Sequence, residues 1–432
     1  MSQKVLVLDL THGGEVLARE YAGRGDSVTA VDIYHTVAAE PKAALAAAGV
    51  RVAEVPPPET FDLGIVPIHC PDRYIGEAKL KRRITAHQAV GELARFDIPV
   101  VEFTGVRGKT SACHVLGHIL ANQGKEVLLL TSRGLCTMNT QGRTVLKDRI
   151  SIAPPSVLAL SKSPPQADIG VFEVSLGGTG LADVSVITSL DDDYPIAAGT
   201  RKAYDGKVQM MRAAHKVAVF PFKEKDLWSP HVPDGVEIIT FGPGGDLTIE
   251  LPEKLKLGRP CRLTVRWKGE TYAADLPGSY LAPSYTTAFA SALAASAGLG
   301  IDMKAAVASL ESFKGVPGRG EVTRERGAFV IRERNPGVSA ASIEWNVKVL
   351  ERYYGQDDIG VALDPVNIKV CEKLDLQDVS DFLNGHPSVK GKYIINMPGL
   401  DRSSTGFLRL DGFMDVRGKH QVLMCCIKEG YL

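Results

Sequence analysis

Val100-Val101-Glu102-Phe103-Thr104-Gly105-Val106-Arg107-Gly108-Lys109-Thr110-Ser111 is the stretch that decides the fold. An apolar run reads as a buried strand, breaks at two glycines, and passes through a lysine and two hydroxyl residues into the amphipathic segment Ala112 to Asn122. Strand, glycine loop and helix in that order make a phosphate-binding loop. Backbone N–H groups across Gly105, Val106, Arg107 and Gly108, with the helix N-terminus, would surround polyphosphate oxygens. Lys109 would reach the terminal phosphates, and Thr110 or Ser111 would hold Mg2+. Phe103 occupies the place of the first glycine of the usual pattern, so the loop is the compressed Thr-Gly-x-x-Gly-Lys-Thr-Ser form.

Outward from this loop, Val127–Leu130, Ile169–Val174, Val184–Leu190 and Lys216–Phe220 read as further buried strands between helices, which makes an α/β domain on a mostly parallel sheet. Acids stand where such a sheet places ligands, at the C-terminal ends of strands: Glu173, and the trio Asp191-Asp192-Asp193. Mg2+ on a nucleotide takes one or two protein carboxylates, so these are its candidate ligands. A solvated turn is the other reading of the trio. Glu173 lies in an apolar strand, where a carboxylate must be paired or metal-bound. Thr240 to Leu276 changes to short strands with Gly and Lys turns, a β-hairpin insertion, and helices at Thr286–Ala297 and Met303–Phe313 complete the domain.

Before the loop, residues 1–96 read as a small α/β unit: strand Val5–Leu10, turn Thr11-His12-Gly13-Gly14, helix Glu15–Arg24, strand Ser27–Asp32, strand Leu63–Val66 and helix Ile84–Arg95. Glycines after a first strand and an acid after the second suggest a dinucleotide fingerprint, but Gly-x-Gly-x-x-Gly is absent. The alternative is a Rossmann-like substrate domain whose crevice is lined by Thr11 to Gly14, Asp32 and the Pro67–Pro71 loop. His12 and His69 would then meet a ligand or serve as turn histidines. After Lys314–Gly320, a segment of hinge composition, a third α/β unit follows. Its elements are strand Ala328–Arg332, helix Ser339–Tyr354, strand Ile359–Leu363, helix Leu376–Leu383, and strands Lys392–Asn396 and Gln421–Ile427.

A chain of 432 residues has room for several domains, each with its own core. Lys plus Arg equals Asp plus Glu at 50 each, so no net field draws the protein to nucleic acid or an anionic membrane. No apolar run is long enough to span a bilayer, and the N-terminus enters a strand directly, which predicts a cytosolic protein without a secretory signal. Seven cysteines form no C-x-x-C pair and are odd in number, so they read as core thiols.

The loop Thr104 to Ser111, then Glu173-Val174-Ser175, Thr188-Ser189-Leu190 with Asp193, and Gly318-Arg319 with Asn335-Pro336 beyond, resemble the Mur ligase family across nearly the whole chain. The resemblance implies a three-domain architecture with a central P-loop ATPase domain, divided at 1–96, 97–314 and 315–432. It implies ATP with Mg2+ as cofactors and an acyl phosphate that a nucleophile captures. On this likeness Lys109 and Thr110 take the ATP phosphates and Mg2+, Glu173 a second Mg2+, and Arg319 and Asn335 further ATP contacts. Lys207, in Tyr204-Asp205-Gly206-Lys207, corresponds to a lysine that many members carbamylate.

The departures point away from cell-wall substrates. Arg107 replaces an Asn, Tyr194 a metal-binding His, Tyr280-Leu281 a His-Asn pair, and Ile331-Arg332-Glu333-Arg334 stands in a motif that elsewhere carries a ribose-contacting acid. No signature of a nucleotide sugar or an amino acid is visible. The opening Leu8 to Gly14, the altered third-unit motif and the short ending Cys426 to Tyr431 are most similar to a divergent branch that closes a carbocyclic ring on a nickel tetrapyrrole. The expected partner is therefore a tetrapyrrole polycarboxylate, met by Thr11, His12, Gly13, Gly14, His69, Arg332 and Arg334, with Arg133, Arg143 and Arg402 as further cations, in a monomer or homodimer. An amide ligase joining an amino acid to a carboxylate is the alternative enzyme. A nucleotide-sensing module without catalysis is the alternative of another class.

Overall fold

The computed structural model describes residues 2–148, 150–191, 193–335, 337–365, 374–395 and 406–428. The chain divides into two compact units, one of residues 1–248 with 290–303, the other of residues 249–289 with 304–432.

The first unit opens with β1 (Lys4–Leu8), α1 (Glu15–Gly23), β2 (Ser27–Val31), α2 (Ala39–Ala47), β3 (Arg51–Ala53), β4 (Thr60–Ile65), β5 (Lys79–Ile84) and α3 (Ala86–Leu93). The five strands form one parallel sheet in the order β3-β2-β1-β4-β5. This is the Rossmann-like arrangement expected, with two strands that apolar periodicity does not show. β3 has three half-exposed or exposed residues, and β5 is Lys-Leu-Lys-Arg-Arg-Ile on the sheet edge, where charge guards against pairing with another chain. The expected helix from Ile84 starts later because Thr85 caps it: its hydroxyl accepts from Gln88 N and the Gln88 side chain accepts from Thr85 N.

The same unit continues with β6 (Val100–Thr104), α4 (Lys109–Asn122), β7 (Val127–Thr131), β8 (Gly134–Asn139), β9 (Gly142–Asp148), α5 (Pro154–Ser161), β10 (Ile169–Glu173), β11 (Val184–Ile187), β12 (Pro195–Ile196), β13 (Arg201–Lys202), α6 (Ala203–Arg212), β14 (Val217–Pro221), α7 (Lys225–Trp228), β15 (Glu237–Phe241) and β16 (Leu247–Glu250). β15, β14, β11, β6, β10 and β7 run parallel and adjacent in that order. Their near-continuous apolar sequences follow from burial on both faces. β8 and β9 extend the β7 edge as an antiparallel hairpin that the sequence reading lacks, since every residue of β9 is exposed. One apolar core, including Val7, Leu17, Val90, Leu128, Val157 and Phe172, joins α1, α3 and α5 between the two sheets.

The second unit holds the antiparallel hairpin β17 (Cys261–Trp267) and β18 (Glu270–Leu276), the expected insertion. Helix α8 (Thr286–Gly298) follows, its residues from Ala290 on belonging to the first unit, and α9 (Met303–Ser309) returns to the second. β19 (Arg319–Glu325), β20 (Ala328–Asn335), α10 (Ala340–Tyr354), β21 (Ile359–Asp364), α11 (Leu376–Asn384), β22 (Val389–Ile395), β23 (Leu408–Leu410) and β24 (Val422–Lys428) complete it. Its sheet runs β19-β20-β24-β21-β22-β23, parallel except for β19. β19 escapes sequence reading because charged and polar residues dominate it, and its first two residues were expected in the hinge. Among the described residues no helix is long and apolar enough to cross a membrane. Five of the six described cysteines are buried and all six are free thiols, as expected of core cysteines.

Candidate active site

The loop between β6 and α4 has the conformation its glycines anticipate. Gly105 (φ 143°) and Gly108 (φ 83°) both lie where an L side chain is disfavoured. A Cβ on Gly105 would run into the Thr188 hydroxyl, so the glycine also permits close approach of the β11 end. That end staples the loop. Thr188 Oγ1 donates to Arg107 O at 2.5 Å, and Val106 N donates to Ser189 O at 2.9 Å. Thr188 and Ser189 were quoted in the sequence only as part of the resemblance, and the structure gives them this physical role. Lys109 Nζ folds over the loop to Gly105 O at 3.0 Å. Ser111 lies half-buried in the first turn of α4.

Glu173, at the last position of β10, is buried at 2% exposure. Its carboxylate accepts from Thr110 Oγ1 at 2.9 and 3.1 Å and from Ser132 N at 3.0 Å. The loop hydroxyl and the strand-end carboxylate are thus brought together as hard oxygen donors, the set that Mg2+ takes. These residues fit the ion that the sequence anticipates.

Lys207 lies on α6 at 1% exposure, with Nζ donating to Ala203 O at 3.1 Å. Burial, then the charge of Lys109, pull its pKa down to about 8 against the opposing pull of Asp193 and Glu224. Asp193 accepts from Tyr204 N at 2.9 Å, in the first turn of α6. Of the rest of the acidic trio, Asp191 pairs with Lys223 at the surface, and Asp192 lies outside the described residues. α6 packs so closely on the backbone after β10 that a Cβ on Gly206 would overlap Leu176 O. This is why glycine precedes the lysine.

Two buried titratable groups brace the site. Glu102 on β6 accepts from Thr179 N at 2.8 Å and from the Thr179 hydroxyl, and burial raises its pKa to about 7. His87 donates through Nε2 to Ser175 O at 2.8 Å, and burial lowers its pKa to about 4.

In the first sheet, Asp9 follows β1 with φ 69° and its carboxylate is fully buried. Oδ2 accepts from His12 Nδ1 at 2.7 Å and from His69 Nε2 at 2.6 Å, so the two sequence-predicted histidines do come together, on an acid the sequence reading passed over. The available signal was an aspartate ending an apolar strand. Burial would raise the Asp9 pKa, yet the hydrogen bonds from His12 and His69 hold it down to about 2, and the bond to Asp9 raises the pKa of His12. Thr11 is exposed and shares a hydrogen bond with Thr36 at 2.6 Å. Gly13 and Gly14 serve packing: a Cβ on Gly13 (φ 95°) would press on Pro155, and one on Gly14 would overlap Asp9 O. Asp32, expected on the crevice, is buried and spends its carboxylate on Thr36 N, Val37 N and Lys42. It organises its own loop.

In the second unit, Arg319 and Asn335 converge on the buried Glu333. Asn335 donates to it at 2.5 Å, Gly320 N at 2.9 Å and Asn346 at 3.2 Å, while burial raises its pKa against the charge of Arg319. Arg332 is engaged across the β19–β20 hairpin with Thr323 at 2.8 Å and with Glu325, and Arg334 is exposed. Arg143 is exposed on β9 and Arg133 half-buried beside β8; Arg402, Pro336 and the ending Glu429 to Tyr431 lie outside the described residues.

No protein-family model matches the chain. Coenzyme F(430) synthetase of Methanosarcina acetivorans is 32% identical over 415 residues, which cover 88% of this chain and 87% of that protein. The coenzyme F(430) synthetase of Methanocaldococcus jannaschii is 26% identical over 223 residues, 49% of this chain and 50% of its own. Among solved structures, MurF ligase of Thermotoga maritima in complex with ADP shares the fold with a TM-score of 0.58 at 15% identity, over 99% of this chain and 91% of that one. The glycine loop, the strand-end carboxylate and these likenesses agree on an ATP-dependent ligase of the Mur ligase fold, and the chain belongs to the family of the coenzyme F(430) synthetases.

Proposed function

We propose that this ligase phosphorylates a side-chain carboxylate of a nickel tetrapyrrole and closes a carbocyclic ring on it, the last step of coenzyme F(430) biosynthesis, with release of ADP and phosphate. The match to a coenzyme F(430) synthetase along 88% of the chain carries this reading. The loop of Gly105 to Ser111 supplies backbone N–H groups for the polyphosphate, and Lys109 spreads charge on the transferred group. Thr110 and Glu173 would hold Mg2+, with Asp193 as a further carboxylate; the ion's part is to neutralise phosphate charge. We assign these roles within a division at 1–96, 97–314 and 315–432.

A carboxylate is a poor electrophile because oxide is a poor leaving group. Its oxygen attacks the terminal phosphorus of ATP, the bond to ADP breaks, and an acyl phosphate forms. A macrocycle carbon then attacks the acyl carbon, a carbon–carbon bond forms, phosphate departs with the C–O electron pair, and the proton of the attacking carbon passes to solvent. The net change in the macrocycle is loss of one water. Both reacting groups belong to one molecule, so the protein has mainly to fold the side chain onto the ring, a proximity effect worth about 7–11 kcal/mol.

The test is incubation of the open-ring nickel tetrapyrrole acid with protein and Mg-ATP, followed by mass measurement. The expected product has lost one water, with ADP and phosphate formed in equal amounts and no amino acid required. A product that contains an added amino acid would show an amide ligase instead.

A further inference from the structure

We propose that His12 Nε2 is the base that removes the proton from the attacking carbon of the macrocycle, with Asp9 the buried carboxylate that orients the imidazole and balances the charge it acquires. Resting on the function proposed above, this gives the last proton transfer of that reaction a side chain. Asp9 leaves β1 and His69 lies in the loop that leaves β4, where the first sheet reverses its winding and open α/β sheets bind their ligands. The loops that carry His12 and His69 both lie against the segment that follows Glu173. Gly13, next to His12, abuts Pro155 on α5, and Ile152, just before that helix, accepts from Ser175 N at 2.9 Å. Ile68, next to His69, packs with Leu176, Ile196 and Ala197 and lies against Gly206, next to Lys207.

Asp9 fixes the ring. Its carboxylate is fully buried, and burial pulls its pKa up, yet the hydrogen bonds from His12 and His69 hold it down to about 2, so it stays an anion that only accepts. His12 therefore carries its proton on Nδ1, which donates to Asp9 Oδ2 at 2.7 Å, and its Nε2 lone pair has no hydrogen-bond partner among the described residues. The backbone N–H of His12 donates to the other Asp9 oxygen at 3.2 Å, so ring and main chain are tied to one carboxylate. Tyr34 meets the ring edge-on at 5.7 Å and His69 at 4.8 Å, which sets its orientation from two further sides. The hydrogen bond to Asp9 raises the pKa of His12 against the pull of burial and makes it the stronger base. A proton taken up at Nε2 gives an imidazolium beside a buried anion, the arrangement by which Asp–His pairs act as general bases.

His69 has the other part. It donates through Nε2 to the same Asp9 oxygen at 2.6 Å, so the free nitrogens of the two rings point apart and one substrate atom can meet only one of them. His12 is the ring with access. Its side chain is 47% exposed against 26% for His69, and it presents Nε2, the nitrogen farther from the main chain, whereas His69 keeps only Nδ1 free. His69 thus supports the Asp9 carboxylate as a second donor, and repulsion between two imidazolium rings at 4.8 Å means the pair takes up one proton at a time. In the closure, a π pair of the macrocycle forms the carbon–carbon bond while the C–O pair departs with phosphate. The attacking carbon then holds four single bonds and the conjugated system lacks a pair. Its C–H bond breaks, that pair restores the conjugation, and the proton moves to His12 Nε2 and from there to solvent.

The experiment follows single turnovers of the open-ring nickel tetrapyrrole acid, with hydrogen or deuterium on the attacking carbon, by the full-length protein and Mg-ATP. Acyl phosphate is read as the hydroxamate it gives with hydroxylamine, and the closed ring by mass. His12→Ala and His12→Gln, the latter keeping an amide donor toward Asp9, should still form acyl phosphate but close the ring about 100- to 10,000-fold more slowly. The deuterium effect on closure should rise in both, because proton removal becomes limiting. Asp9→Asn should show the same split between the two steps. His69→Ala, which leaves the Asp9–His12 bond in place, should slow closure far less than His12→Ala. Closure at the wild-type rate in both His12 variants overturns the base and leaves the assigned function standing. So does an equal loss of acyl phosphate formation in variants that melt like wild type, slow closure without a deuterium effect, or a greater loss in His69→Ala. If wild type itself leaves the ring open, or joins an amino acid to the macrocycle, the assigned function falls and the base with it, an outcome read from the wild-type product mass alone.

Discussion

Lys207 offers the sharpest test of the central site, because its burial changes its chemistry by a calculable amount. With a pKa near 8, roughly one amine in ten is unprotonated at pH 7, against about three in ten thousand at the ordinary 10.5, a gain of about 300-fold. Only the unprotonated amine attacks CO2. The C–N bond forms, a proton leaves to solvent, and a buried cation beside Lys109 becomes an anionic carbamate. Repulsion from Lys109 then turns to attraction, while the attraction of Asp193 and Glu224 turns to repulsion that a bound Mg2+ would offset, so the modified state should be the more favourable one with Mg2+ present. Stripping CO2 from protein and buffers is therefore expected to lower turnover at least about tenfold, the equivalent of 1.4 kcal/mol, and bicarbonate should restore it. Labelled bicarbonate should give a carbamate carbon resonance that Lys207→Met lacks. The folded state binds fewer protons than the unfolded one between pH 8 and 10.5, so the unmodified amine costs stability below pH 8 and the cost fades as pH rises through that window. The shift amounts to about 3 kcal/mol. Lys207→Met should accordingly be inactive yet melt higher than the CO2-free wild type at pH 7. Turnover indifferent to CO2, with no carbamate signal, would refute the reasoning.

Lys109→Ala should remove more than nine-tenths of substrate-dependent ATP turnover with little change in melting temperature; retained turnover would mean the loop does not hold phosphate. Glu173→Gln keeps the shape but removes the charge, and should raise the Mg2+ concentration needed for half-maximal rate. Unchanged Mg2+ dependence with lost stability would leave Glu173 only a buried partner of Thr110 and Ser132 N. Glu102 has its folded pKa raised to about 7, so its contribution to stability is full below its ordinary pKa and fades by about 3 kcal/mol as pH rises through 7. Glu102→Gln should match wild type at pH 5 and exceed it at pH 8 in urea melts; an equal difference at both pH values sinks that account.

What could be read in the sequence follows from where the physics is local. β6, β7, β10 and β11 are buried on both faces and announce themselves as apolar runs, and the loop glycines announce their φ values. β5, β9 and β19 lie on edges or carry charge, so periodicity has nothing to detect in them. The pairing of Thr110 with Glu173 spans 63 residues of sequence and that of Asp9 with His69 spans 60, and only the closed sheets bring such residues together. Asp32 shows the opposite failure. Its position after a second strand suggested a ligand, but the fully buried carboxylate is held by three local partners, Thr36 N, Val37 N and Lys42, and so organises its own loop. Gly13 and Gly14 were read as ligand-facing, and the space that Pro155 and Asp9 leave them gives each a packing reason as well.

The two sheets of the first unit share one geometrical rule with a functional consequence. Parallel strands all end on the same edge, so the loops leaving β1 and β4 emerge together, as do those leaving β6, β10 and β11. The two loop sets meet at Ile68, which packs with Leu176, Ile196 and Ala197 and faces Gly206; within the second set Gly177 and Gly206 have no room for a Cβ, and His87 on α3 holds Ser175 O only two residues beyond Glu173. A shift of the Ile68–His69 loop must therefore be felt at α6 and at the segment following Glu173, because close-packed backbone has little freedom to absorb it. Arg201, just before α6, adds one charged tie, donating to Ile68 O at 3.2 Å and to Asp72 at 2.5 Å. A ligand held at Asp9, His12 and His69 would thus be registered against Lys207 and Glu173 through short, stiff connections, the condition under which a side chain of that ligand can be offered repeatedly to the same phosphoryl group.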